Sequence, residues 1–414
     1  MHPISKGAAL AIFAATAVVA FGVGRVTAPA QTAGRPADLA GAIRASLGEG
    51  DAVRRLAATT ALLERLERKD LPDVLAVYEG MMPAIDAWDL GAFFGAWARF
   101  DPAGAIEYAL ALPRRNMLEE RRIGVRAALA GWAYADPAKA RVAAEKVAKH
   151  NAPLRVDVWN GLVTGWVRSG RDLEGLVGFL DELRPRTQRD KSAEVAVREL
   201  VRVAGADAAL AWADAILGDE SQEQSLKRAV FEAALRNSGA LDPARTGAWV
   251  LGYAEAEYAP DGAVITGRRW GRVDGTAAMA WLEKLPAGQP RDRGVREAFL
   301  AWATADWDGA QAWLESASLT AFHDPALEVL AEQLLAWDPA EALGWCERIL
   351  GEMPRARCLS SGASRWYAKD ALAAEAWLQT SSLDEEARSE VRKSTGTGQA
   401  GPAKRRRRPG AGQG

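Results

Sequence analysis

Cysteine and histidine are scarce in this chain. Only two of 414 residues are cysteine, Cys346 and Cys358, too few for a disulfide-built scaffold or a four-cysteine zinc or iron-sulfur site, and they do not form a Cys-x-x-Cys redox motif. The three histidines, His2, His150 and His323, lie far apart in sequence, which argues against a histidine metal or catalytic cluster. Charge of one sign is missing as well. Lys and Arg number 52 against 54 Asp and Glu, a net charge of -2, so no global field points to nucleic acid and no acidic excess points to disorder. Alternating β-branched windows are few, and no Gly-x-Ser-x-Gly elbow, phosphate loop or His-Glu-x-x-His occurs, so the commonest nucleophile, nucleotide and zinc-protease signatures fail.

Tryptophan is abundant, with 16 Trp against 6 Tyr and 9 Phe, and it recurs in a pattern. An aromatic residue precedes an Asp by four positions, Pro often follows the Asp, and a second aromatic stands seven past it. The clearest copies are Trp97 with Asp101-Pro102 and Tyr108, Trp270 with Asp274 and Trp281, Trp302 with Asp306 and Trp313, and Trp366 with Asp370 and Trp377. The anchors fall at Asp101, Asp136, Gly170, Gly205, Asp242, Asp274, Asp306, Asp338 and Asp370, spaced by 32 to 37 residues. That period suits one helix-turn-helix unit and is short for a four-stranded propeller blade.

The residue types fit an α-hairpin. Asp caps a helix by accepting hydrogen bonds from its first free amides, and Pro beside it loses nothing by lacking an N–H. Four residues past the anchor, Ala stands in seven of the nine copies, and position eight is always apolar or Gly, so positions four, seven and eight form a buried helical face. Counting back, positions four, eight and eleven give Trp97, Phe93 and Leu90, or Trp302, Ala298 and Val295, a matching stripe on the preceding helix. Twelve tryptophans belong to this seam, leaving Trp88, Trp159, Trp307 and Trp337 over.

The pattern resembles the Asp-Pro-x-Ala-Ala-x-x-Trp α-hairpin repeats of exported bacterial proteins and, more distantly, tetratricopeptide and HEAT-like solenoids, over roughly residues 97–380. True tetratricopeptide Gly, Tyr and Pro spacing is not met, so no peptide-groove residues carry over. The expected fold is all-α: an α-hairpin repeat solenoid of about nine to ten repeats, with an N-terminal hydrophobic helix and a disordered basic C-terminal tail. The expected boundaries are a signal anchor or signal peptide over 1–25, a linker over 26–36, the repeat region over 37–393 and the tail over 394–414. Within the repeat region, Asp51 to Arg68 reads as an amphipathic helix in a degenerate N-terminal repeat. Asp384 to Arg392 reads as a charged closing helix.

Residues 7–24 are uncharged and apolar, 18 residues at the lower edge of what spans a bilayer. The reading taken is a single-pass inner-membrane anchor with the repeat region exported to the periplasm; the alternative is secretion after cleavage following Ala30, where Ala28-Pro29-Ala30 has the small-x-small form. Lys404, Arg405, Arg406, Arg407 and Arg408 form a basic run suited to an anionic surface.

No catalytic, cofactor or metal residues are singled out. Gly396 to Gly401 matches a dinucleotide-binding glycine spacing, but no strand pattern precedes it. Asp306 and Asp308-Gly309 resemble the start of a calcium loop whose later ligands are misplaced, so Asp306 reads as a cap. Glu119-Glu120, Glu385-Glu386 and Glu255 with Glu257 read as solvated faces. Cys346 and Cys358 are equidistant from Glu352, so an antiparallel hairpin could pair them. Cys346 also occupies the place of Leu282, Leu314 and Leu378 in other copies, and the reading favoured is a small buried hydrophobe over a disulfide.

The expected function is a non-catalytic interaction scaffold at the bacterial envelope that binds a protein partner on the repeat surface. A cell-wall or carbohydrate-binding superhelix, using the leftover tryptophans to stack on sugars, is the alternative. Nucleic-acid binding through the C-terminal arginines ranks last.

Overall fold

The structure is a computed structural model and describes residues 36, 38–82, 84–113, 115–238 and 242–393. Residues 7–24, the glycine run from Gly396 and the basic run Lys404 to Arg408 lie outside them. Among the described residues there are 21 α-helices, two short 3-10 turns and no strand. The chain falls into two compact units, residues 1–237 and 238–414.

The first unit holds α1 (Leu39–Leu47), α2 (Ala52–Leu63), α3 (Leu71–Met81), α4 (Ala87–Trp97), α5 (Pro102–Ala111), α6 (Leu118–Ala135), α7 (Pro137–His150), α8 (Arg155–Ser169), α9 (Leu173–Glu182), α10 (Arg186–Leu217) and all but the last residue of α11 (Gln224–Ser238). The second holds α12 (Pro243–Leu251), α13 (Gly262–Val273), α14 (Gly275–Leu282), α15 (Gln289–Ala305), α16 (Trp307–Ser316), α17 (Asp324–Leu334), α18 (Pro339–Glu347), α19 (Glu352–Tyr367), α20 (Ala371–Leu378) and α21 (Glu385–Lys393).

The aspartate anchors make the corners. At Asp101, Asp136, Asp242, Asp274, Asp306, Asp338 and Asp370 the carboxylate accepts from the amide three residues on. At Asp136, Asp274 and Asp306 the same residue closes the preceding helix, its own N–H donating to the carbonyl of Trp132, Trp270 or Trp302. One residue with φ near -150° and ψ near 90° therefore turns the chain from helix to helix, satisfying end groups of both. The Lys139 amide, and then its ammonium, hold the Asp136 carboxyl below the usual carboxylate range. We predict that Asp274→Ala costs about 1 kcal/mol and Asp274→Asn almost nothing, measured by urea denaturation; equal losses would show that the side-chain cap is not what holds this corner.

Across four of the corners two aromatics meet. Ring centroids lie 5.5 Å apart for Trp97 and Tyr108, 5.8 Å for Trp270 and Trp281, 5.8 Å for Trp302 and Trp313, and 6.4 Å for Trp366 and Trp377. Beside them the small residues Ala105, Ala140, Ala209, Ala278, Ala310, Ala342 and Ala374 are buried, letting the helices approach while the large rings fill the remaining space.

Two anchors differ from expectation. Gly170 ends α8 in the left-handed region (φ 64°), and the true cap is Asp172, whose carboxylate accepts from the Gly175 amide at 3.0 Å. A left-handed glycine after a helix is a stop that inserts extra residues before the next start. Counted from Asp172, the buried positions become Leu176, Phe179 and Leu180, and Phe179 meets Trp166 at 5.9 Å. At Gly205 (φ 88°) α10 breaks into two helices, and Ala209, Trp212 and Ala213 beyond it are buried as the pattern requires.

Helices that precede successive corners pack directly on one another, in places backbone to backbone. A Cβ on Gly165 of α8 would lie 2.1 Å from the Ala130 carbonyl oxygen of α6, and one on Gly271 of α13 would lie 2.3 Å from that of Ala298 in α15. Gly271→Ala gains about 1 kcal/mol of helix propensity but must push two backbones apart, at about 1–3 kcal/mol. We predict net destabilisation, seen as a lowered urea midpoint; a raised midpoint would contradict this close approach.

At the ends, α2 stops at Leu63, short of the Arg68 expected, because residues 64–67 leave the helix and Arg68–Asp70 form a 3-10 turn. The closing helix α21 is charged, as expected, with Val391 its buried residue. No helix among the described residues is long and apolar enough to cross a membrane.

Candidate interaction face

The helices that precede the corners carry arginines one repeat away from carboxylates, and the pairs bridge neighbouring helices. Arg55 Nε donates to Asp89 and Arg122 Nε to Asp157, each at 2.8 Å, while Arg168 reaches Glu199 at 3.0 Å and Arg189 reaches Glu223 at 3.3 Å. In the second unit Arg293 binds Asp261 at 2.9 Å, Arg296 binds Glu332 at 2.5 Å and Glu328 at 3.6 Å, and Arg357 binds Glu328 at 2.8 Å. Asp89 and Asp157 are themselves buried, and a buried carboxylate needs such a partner. Tyr78 stacks on Phe93 at 4.1 Å and donates to the Asp89 carbonyl at 3.5 Å; burial, and then the Asp89 charge, push its phenol above the ordinary range. These bridges went unread in the sequence. Their signal was an Arg and an acid separated by about one repeat period.

Other arginines of the described residues, Arg44 and Arg198 among them, stand unbridged, and two of these line a cleft. Between α13 and α15 lies a cleft of about 350 Å³ lined by Arg268, Arg272, Leu300, Ala301, Thr304 and Ala305, with Glu297 at its side. Arg268 and Arg272 are exposed and share one side of α13 at i,i+4 spacing. Neither forms an ion pair with a described residue. A second cleft, of about 150 Å³, lies among α17, α18 and α19, where Arg357 is engaged by Glu328 and Arg365 is exposed without an ion pair to a described residue.

A disulfide forms part of that second wall. Cys346 of α18 and Cys358 of α19 are joined, with Cα atoms 5.6 Å apart. This corrects the expectation of a free thiol, because the antiparallel hairpin brings the pair within bonding geometry. Cys346 is buried as well, in the site of the equivalent leucines.

The remaining sequence candidates resolve as local structure. No family model matches this chain, and neither a curated protein nor a solved structure matches it. Asp306 caps Gly309 as expected, and no group of three metal-binding side chains occurs among the described residues. His150 bonds the Lys146 carbonyl at the end of α7, whereas His323 is buried against Trp313 and accepts from the Thr320 amide. Glu119 pairs with Arg122, and Glu385 with Arg388 and Arg392. Of the leftover tryptophans, Trp159 is buried beside Phe179 and Trp307 is buried against Trp337. Trp88 alone is widely exposed, at 76%.

Proposed function

We propose that this chain is a non-catalytic interaction scaffold of the bacterial envelope, in which α-hairpin repeats over 37–393 stack as a solenoid and hold a protein partner. The resemblance to exported Asp-Pro-x-Ala-Ala-x-x-Trp repeat proteins supports that reading. So do the repeated one-residue corners, since stacked hairpins present a continuous surface. Residues 7–24 tether it to the inner membrane, and the repeat region is periplasmic. The disulfide accords with an oxidising compartment.

The observation that carries the proposal is the cleft between α13 and α15. Its floor of Leu300, Ala301 and Ala305 is apolar and small, and the two guanidinium groups of Arg268 and Arg272 stand free at its edge. Arginine is the residue most suited to pair a partner's carboxylates in a fixed fork geometry, and a few such residues dominate interface energies. Two of the four leftover tryptophans, Trp159 and Trp307, are buried and so closed to sugar stacking. Lys404 to Arg408 add a salt-sensitive attraction to anionic surfaces.

The test is full-length tagged protein crosslinked in cells. Arg268→Glu with Arg272→Glu should reduce recovery of a discrete co-purifying protein by about tenfold or more, the loss of one well-desolvated charge contact or more. Equal recovery by the doubly reversed chain would remove this cleft from the binding face.

A further inference from the structure

We propose that the N-terminal end of the first unit rests on the membrane surface through α2 and Trp88, an inference that depends on residues 7–24 being the anchor. Two helices, one in each unit, differ in kind. In the second unit the closing helix α21 is mostly charged, with Glu385, Glu386, Arg388, Glu390, Arg392 and Lys393 around the buried Val391, a polar face suited to water. In the first unit α2 does the opposite. Its sequence is AVRRLAATTALL, and only Thr59 and Leu63 are buried.

Val53, Leu56, Ala57, Thr60 and Ala61 share one side of α2 and are all exposed, Val53 at 79%. Beside α2, at the start of α4, Trp88 is exposed between Asp86 and Asp89, and Arg55 of α2 pairs with both of those carboxylates. The two apolar features therefore belong to one end of the unit, and no described residue covers them.

What covers them follows from the chain before them. The apolar run ends at Gly24, and only 13 residues separate it from Asp38, the cap of α1. Fully extended, 13 residues reach about 45 Å, so an anchored run holds this end within a short tether of the bilayer. A helix with an apolar side lying at the headgroup boundary, with a tryptophan at the same level, is the arrangement that suits such a surface.

The experiment uses the full chain reconstituted into vesicles of equal parts phosphatidylethanolamine and phosphatidylglycerol, some of the lipid carrying a headgroup-proximal nitroxide. Trp88→Cys, Leu56→Cys and Leu372→Cys each receive one environment-sensitive fluorophore, the native cysteines being joined to one another. All three positions are exposed, so labelling should leave the fold intact, and Leu372, at 87%, lies in the second unit. Labels at 88 and 56 should be blue-shifted and quenched several-fold more strongly than the label at 372. If the protein resists carbonate extraction but all three labels behave alike, the docking inference is overturned while the anchor stands. If the chain does not enter the vesicles, the anchor reading fails and this inference with it. Self-quenching at position 88 that disappears on dilution of labelled with unlabelled protein would assign the patch to a second copy and overturn it too.

Discussion

Replacing Trp281 with alanine should destabilise the second unit by about 3–5 kcal/mol, the cost of emptying a buried tryptophan site. The ring is almost fully buried, lies 5.8 Å from Trp270, and its Nε1 donates to the Gly247 carbonyl at 2.9 Å. Truncation removes the partner of Trp270, leaves that buried carbonyl without its donor and opens a cavity where α12, α13 and α14 meet. Gly247 cannot fill the space. A side chain there points at the same rings, with its Cβ 2.7 Å from Trp270 and 3.0 Å from Trp281 Nε1. Trp281→Phe should cost about 1–2 kcal/mol, since it loses the hydrogen bond and part of the volume. Trp88→Ala should cost under about 0.5 kcal/mol, because its ring is in solvent. Urea denaturation followed by circular dichroism orders the three; a Trp281→Ala loss no larger than that of Trp88→Ala would contradict the aromatic corner as a stabilising device.

Reducing the Cys346–Cys358 bond should remove about 3 kcal/mol of stability from the second unit, as expected when a loop on the order of 15 residues loses its cross-link in the unfolded chain. The bond links α18 to α19, residues 12 apart in sequence. The first unit contains neither cysteine and supplies the control. Denaturation with and without reductant should move the transition of the second unit and leave that of the first in place. Cys346→Ala with Cys358→Ala should reproduce the shift and abolish its dependence on reductant. A shift of both units, or of neither, would contradict a bond that acts locally on one hairpin.

Much of this fold was legible because the capping chemistry repeats. Each Asp anchor needs the same carboxylate at the same φ and ψ, so one residue type marks seven corners, and period then locates the buried alanines. Gly170 misled because a left-handed stop and a helix start look alike when only spacing is counted; the helix start lay two residues on, at Asp172. The disulfide ranked second in the sequence because a single hairpin carries it and other copies place leucine there, so repetition gave no help. The face of α2 was unreadable for a different reason. An apolar stripe in a sequence normally means burial, and exposure of Val53 and Ala57 depends on which helices fail to arrive. The clefts are likewise set by distances between neighbouring helices. That Arg268 and Arg272 line a cleft can be recognised only once α13 and α15 are seen side by side.

The most direct measurement is site-specific photo-crosslinking in cells from Thr304, which lines the cleft between α13 and α15, with Leu372 as an exposed position outside it. An interaction scaffold that uses this cleft predicts one discrete protein adduct from position 304, lost when Arg268 and Arg272 are reversed in charge and absent from position 372. No adduct from 304, or the same diffuse set from both positions regardless of the arginines, would contradict it.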